Sequence, residues 1–187
     1  MEKKISFEQY RSIDLTILMV VLAVCQTVIY YASSYWFPNE LYIASPMAAV
    51  VTLVMMRWGV YAGIHALLGG VLHALLFGGS WQHVLIFGGG NLLAMAALLY
   101  FKFLGKERIR KDAFLSLLLG LSVQLLMQLG RAGLAMLAGY PAAACLGFIT
   151  TDALSVLLTL VAIWIVRRIE GLFEDQKTYL LRIQSEQ

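Results

Sequence analysis

The chain has 187 residues, of which 60% are hydrophobic and only 13% charged, against about 45–50% and about 25% in an average soluble domain. With a mean hydropathy of +0.78, too little polar surface remains to cover a globule, which excludes a soluble enzyme, a nucleic-acid binder and a disordered chain. The net charge of +3 would suit an acidic partner if it were spread over a surface, but its placement carries more meaning than its sum.

The basic start Met1-Glu2-Lys3-Lys4 is not followed by a small-residue cleavage site after the first apolar run, so no removable signal peptide is expected. Apolar stretches follow at about 15–33, 41–56, 59–78, 83–101, 113–138 and 145–166, each near the roughly 17–25 residues of a spanning helix. The second is the shortest, and needs Leu41 to Pro46 to enter the membrane with it. The expectation is an all-α integral membrane protein, a single domain forming a compact six-helix bundle. Cys25 and Cys145 both lie inside apolar runs and read as small hydrophobes.

Lys and Arg resist translocation, so their positions orient the bundle. Lys3, Lys4 and Arg11 precede the first span, and Arg57 separates the second from the third. Lys102, Lys106, Arg108, Arg110 and Lys111 follow the fourth, and Arg167, Arg168, Lys177 and Arg182 follow the sixth. With six crossings all of these share one side, which places 13 of the 14 basic residues and both termini in the cytoplasm. The segment 167–187 reads as a cytoplasmic helix or a frayed tail. The fourteenth basic residue, Arg131, lies inside the fifth span.

Polar residues within spans concentrate toward the outer half: Gln26, Thr27, Tyr30, His73, His83, Asn91, Gln124, Gln128, Arg131, Thr151 and Asp152. The inner half is oily, with His65 and Ser155 as exceptions. Intramembrane polar groups usually face a bundle interior or a watery cavity. The asymmetry points to a pocket open to the outside and closed below, whereas a pore needs polarity through its full depth. Interhelical hydrogen bonds are the competing explanation for each amide. Arg131 and Asp152 either pair with one another or offer donors and an acceptor to a ligand. His73 and His83 cross a loop at ten-residue spacing, a weak basis for a metal, so none is expected. Trp81, Trp36, Tyr35 and Tyr42 have the character of interfacial anchors. The candidate binding residues are therefore Gln26, Tyr30, His73, Trp81, His83, Asn91, Gln128, Arg131, Thr151 and Asp152. Ala62, Ala66 and Gly70 recur every four residues in the third span and offer a face for close helix approach, within the bundle or to a partner subunit.

The run from Arg57-Trp58-Gly59 through Ala62-Gly63-Ile64-His65 to Gly69-Gly70-Val71-Leu72-His73 leads into a Gly78-Gly79-Ser80 loop and a small-residue span with Asn91. Together with Ile149-Thr150-Thr151-Asp152 and Arg167-Arg168, it resembles the substrate-binding S components of energy-coupling factor (ECF) type ABC transporters. That resemblance implies a multi-pass protein of the bacterial cytoplasmic membrane that captures a vitamin or related micronutrient from outside. It also implies a transmembrane scaffold subunit and two cytoplasmic ATPases as partners, lipid around the bundle, and no nucleic acid. The A-x-x-x-A pattern that many such proteins carry in the first span is absent, since Ala23 is followed by Thr27.

No G-x-x-x-x-G-K-[ST] motif and no positioned serine–histidine pair occurs, so neither a nucleotide site nor an enzyme is expected. No intrinsic cofactor is expected; the bound species would be a vitamin-like ligand, with flavin, pterin, modified purine, thiamine and tetrapyrrole all open. A secondary transporter would show inverted repeats and broken helices. An MreD-like scaffold of the cell-shape machinery, without a ligand, is the alternative.

Overall fold

A computed structural model describes residues 6–38 and 44–186. Expectations for Lys3, Lys4, Asn39, Glu40, Leu41 and Tyr42 fall outside the described residues. Within them the chain is predominantly helical, with no strand. Five stretches are long and apolar enough to cross a membrane: Phe7–Trp36, Met47–Leu76, Trp81–Leu104, Ala113–Leu137 and Ala142–Val166.

Helix α1 (Phe7–Trp36) starts at a capping box in which the Gln9 amide donates to Ser6 Oγ and the Ser6 amide donates to Gln9 Oε1. One face, with Leu18, Leu22 and Gln26, packs inward, while Ile13, Ile17, Val20, Val24 and Val28 stand exposed. An exposed face that stays apolar from Ile17 to Val28 suits a bilayer and not water.

The stretch Met47–Leu76 is a hairpin and not a straight rod. Gly59, at φ +61°, reverses the chain between α2 (Met47–Trp58) and α3 (Ala62–Leu76), a conformation open to a residue without Cβ. A methyl group on Gly69 would lie 3.4 Å from Met47 Cγ, although 22 residues of continuous helix would separate them by about 33 Å. Helix α2 is buried on nearly every side and forms the centre of the bundle. Its irregular approach is also protein-covered: the Ser45 amide donates to Ser155 Oγ at 2.8 Å, and Ser45 Oγ accepts from the Met47 amide. Non-helical backbone is tolerated at membrane depth when so satisfied. Ser155, expected in the oily half, therefore lies beside the upper end of α2.

The Trp81–Leu104 stretch is irregular, running from α4 (Trp81–Val84) through a π-helical turn (Leu85–Gly89) and a 3-10 segment (Leu92–Leu98) into α5 (Leu99–Leu104). Glycines on the helices packed against it let backbones touch. A Cβ on Gly70 would fall 2.2 Å from the Phe87 carbonyl oxygen, and one on Gly130 would fall 2.0 Å from that of Gly90.

After the short α6 (Lys106–Lys111), Asp112 caps α7 (Ala113–Leu137) by accepting from the Phe114 and Leu115 amides. The last apolar stretch is broken at Thr151 and Asp152 into α8 (Ala142–Thr150) and α9 (Ala153–Val166).

One end of the bundle gathers the basic loops. Asp14 accepts a bidentate pair from Arg57 at 2.9 and 2.6 Å and a third bond from Trp58 Nε1, and Arg57 Nη1 donates to the carbonyls of Gly171 and Leu172. Lys106 pairs with Asp175 at 2.7 Å, and Glu174 meets Arg182 and Arg110. The C-terminal segment is thus no frayed tail. It turns at Gly171 (φ +73°), buries Phe173, Glu174 and Gln176, and ends in α10 (Gln176–Ser185). Tyr10 Oη donates to Gln176 Oε1, tying α10 to α1.

Candidate functional site

At the other end a cavity of about 610 Å³ opens among α3, the start of the Trp81–Leu104 stretch, α7 and α8. Three of these elements contribute residues at helical spacing. His73 and Phe77 lie one turn apart; Ser80, His83 and Phe87 follow at intervals of three and four. Ala144, Gly147, Phe148 and Thr151 form an i, i+3, i+4, i+7 stripe on α8. Ser45, just before α2, and Arg131 of α7 complete the wall with Asp152.

The charged pair is built by the helix break and the backbone contact beneath it. Gly90 against Gly130 brings α7 close enough for Arg131 Nε to donate to Asn91 Oδ1 at 2.7 Å. Asn91 spends its own NH₂ on the Ala66 carbonyl and the Met47 sulfur, so its oxygen is held toward the arginine. Arg131 Nη1 lies 3.5 Å from Asp152 Oδ2, which also accepts from Gln124 Nε2 at 2.7 Å and Gln128 Nε2 at 3.3 Å. These interactions converge on Oδ2. The cavity wall therefore carries a guanidinium and a carboxylate side by side, each fixed from behind, with Asp152 Oδ1 outside all of those bonds.

Aromatic rings supply the remaining surface. The His73 ring stands 4.6 Å from both Phe77 and Phe87, Phe87 stands 5.6 Å from Phe148, and the Arg131 guanidinium lies 5.1 Å from the Phe87 ring centre. Such a wall suits a flat ring, and the charged pair suits an edge that both donates and accepts. His83 Nδ1 accepts from the Ser80 amide and faces Ser80 Oγ. Among the described residues no three His, Cys, Asp or Glu side chains come together as a metal site.

Of the residues expected from the sequence, His73, His83, Arg131, Thr151 and Asp152 line the cavity. Asn91 and Gln128 stand behind the wall and hold the charged pair. Gln26 is buried but donates to the Gly69 carbonyl, Tyr30 packs edge-on against Phe77, and Trp81 is 71% exposed at the rim; none of the three lines the cavity. Ala62, Ala66 and Gly70, the face also open to a partner subunit, are buried within the bundle, with Gly70 against Phe87 and Asn91. This face is consumed internally.

Ser45, Phe77, Phe87, Ala144, Gly147 and Phe148 were not singled out by sequence reasoning. Most of these are apolar, so intramembrane polarity does not mark them. The α8 stripe was the available clue, because its spacing ends on Thr151 beside Asp152.

The chain matches no family model, no curated protein and no solved structure.

Proposed function

We propose that this chain is the substrate-binding subunit of an ECF-type ABC importer, capturing a vitamin-like solute from outside the cell in the cavity that holds Arg131 and Asp152. In this reading the Met47–Leu76 hairpin counts as two crossings, giving six, and the basic end with both termini faces the cytoplasm of a bacterial cell. A scaffold subunit and two ATPases complete the transporter.

The observation that carries the proposal is the cavity itself: about 610 Å³, within the usual range for a small-molecule site, at the end of the bundle away from the basic loops. Below it α2 fills the centre with Val51, Val54, Met55 and Met56, all fully buried, so the space is blind and not a channel. The chain's own residues would act by complementarity. Asp152 accepts from a ring N–H or hydroxyl, Arg131 donates to a carbonyl, carboxylate or phosphate, and the phenylalanines cover the ring faces. An MreD-like scaffold has no use for a recessed charged pair in an aromatic chamber, which favours solute capture.

The test is purification of the full chain in mild detergent, extraction, and mass spectrometry of released small molecules. A single ring-containing compound near one equivalent per chain is the expected result. If nothing co-purifies, and thermal unfolding is unmoved by a panel of water-soluble vitamins and nucleobases, the scaffold reading takes its place.

A further inference from the structure

A second cleft, of about 270 Å³, opens at the basic end between α6 and the turn that follows α9. Arg110, Arg167 and Arg168 line it together with Phe173, Glu170 and Glu174. The two carboxylates already have partners. Glu174 is taken by Arg182 at 3.0 Å, by Arg110 at 3.5 Å and by the Gly171 amide, and Glu170 lies 3.4 Å from Arg182.

The two adjacent arginines are not so occupied. The Arg168 guanidinium makes no hydrogen bond or ion pair among the described residues and only covers the Trp164 ring at 4.6 Å. Arg167 spends Nη2 on the Lys111 carbonyl, while its Nε is buried without a hydrogen-bond partner. A buried guanidinium N–H without an acceptor is costly and marks a place for one. The surface beside the cleft is apolar: Trp164, Ile165 and Ile169 are 40%, 56% and 51% exposed. The cleft therefore sits where the hydrophobic span ends and the charged cap begins.

We propose that this cleft binds a phosphate-bearing anion, and that the apolar flank makes the headgroup of an acidic phospholipid its occupant. The phosphate would lie between the Arg167 and Arg168 guanidiniums, with Arg110 at the rear and the acyl chains descending along α9 past Trp164 and Ile165. This site does not depend on the cavity at the opposite end.

The experiment is thermal unfolding of the full chain in detergent, titrated with phosphatidylglycerol, with phosphatidylcholine of the same acyl chains, or with inorganic phosphate. Phosphatidylglycerol should raise the unfolding temperature more than phosphatidylcholine does, and each arginine removed, in R168Q and then R167Q/R168Q, should weaken the half-saturating concentration about fivefold. R168Q, which gives up only the Trp164 contact, keeps the test usable if the double variant fails to fold. An equal, arginine-dependent shift with inorganic phosphate would keep the anion site but assign it to a soluble phosphate, overturning the lipid assignment. The proposal fails if the two lipids act alike on the native chain. It fails equally if K102Q/R108Q, two exposed charges outside the cleft, produces the same weakening.

Discussion

Gly90 and Gly130 meet backbone to backbone one residue before Arg131, so closely that a Cβ on Gly130 would stand 2.0 Å from the Gly90 carbonyl oxygen. The contact sets the distance over which Arg131 reaches Asn91. Gly130→Ala should therefore force the two segments apart and destabilise the protein by about 1–3 kcal/mol, as overpacking does. Gly133→Ala, on the same helix with nothing within 4 Å of the added methyl, should be neutral or slightly stabilising. Thermal unfolding of the two variants in detergent compares them directly; equal midpoints would disprove the close-packing account.

Arg131→Ala and Asp152→Ala should each reduce affinity for the co-purifying solute by about 2–5 kcal/mol, since each leaves a charge on the wall without its partner. Asn91→Ala should weaken binding less, acting only through the orientation of Arg131. Gln26→Ala, whose amide serves Gly69 away from the cavity, should leave the retained solute unchanged. Quantitative mass spectrometry of extracts from the four variants reads the order. Retention of solute by both charge variants would mean that the pair serves structure alone.

Asp14→Ala should cost about 3–5 kcal/mol of stability. It strips the acceptor from both Arg57 donors and from Trp58 Nε1, while Arg57 stays buried at 6% exposure. Because Arg57 also holds the Gly171 and Leu172 carbonyls, limited proteolysis should show α10 released together with the drop in unfolding temperature. An intact C-terminal segment in the variant would contradict this coupling.

Hydrogen bonds from Arg110, reinforced by Lys111, hold the Glu107 carboxyl down at about 2. Burial alone would raise the Asp175 carboxyl, but the Lys106 ammonium and the Thr178 amide outweigh it and hold it below the ordinary range. Groups depressed in the folded state lend stability that is complete above their unfolded values near 4 and is lost as pH falls through the folded ones. Glu107 is largely exposed, so its share is small. Carbon-13 NMR of the carboxyls should place the Glu107 midpoint near 2, and Arg110→Gln should move it up toward 4; an unshifted midpoint in the variant would remove Arg110 as the cause.

Hydropathy and charge order alone marked the apolar stretches and brought the basic loops to a common end, because a bilayer imposes one coarse rule along the whole chain. The depth of Arg131 and Asp152 followed from the same rule, but Ser155, expected in the oily half, lies against the cavity-lining Ser45. Arg131 and Asp152 stand near each other in space as their positions along consecutive spans implied. Depth along a helix is a one-dimensional property, readable from residue counting.

Azimuth is not. Whether Gln26 faces the cavity or a neighbouring carbonyl depends on how α1 is rotated against α3, and packing sets that rotation. The same limit hid Phe77, Phe87 and Phe148, whose apolar side chains look alike in sequence whether they meet lipid or line a chamber. It also hid the fate of Ala62, Ala66 and Gly70, because a small-residue face invites close approach without naming the helix that will make it. The break at Thr151 and Asp152, the π-helical turn before Asn91 and the folded-in C-terminal segment arise from contacts between residues far apart in the chain. Those contacts exist only once the bundle has closed.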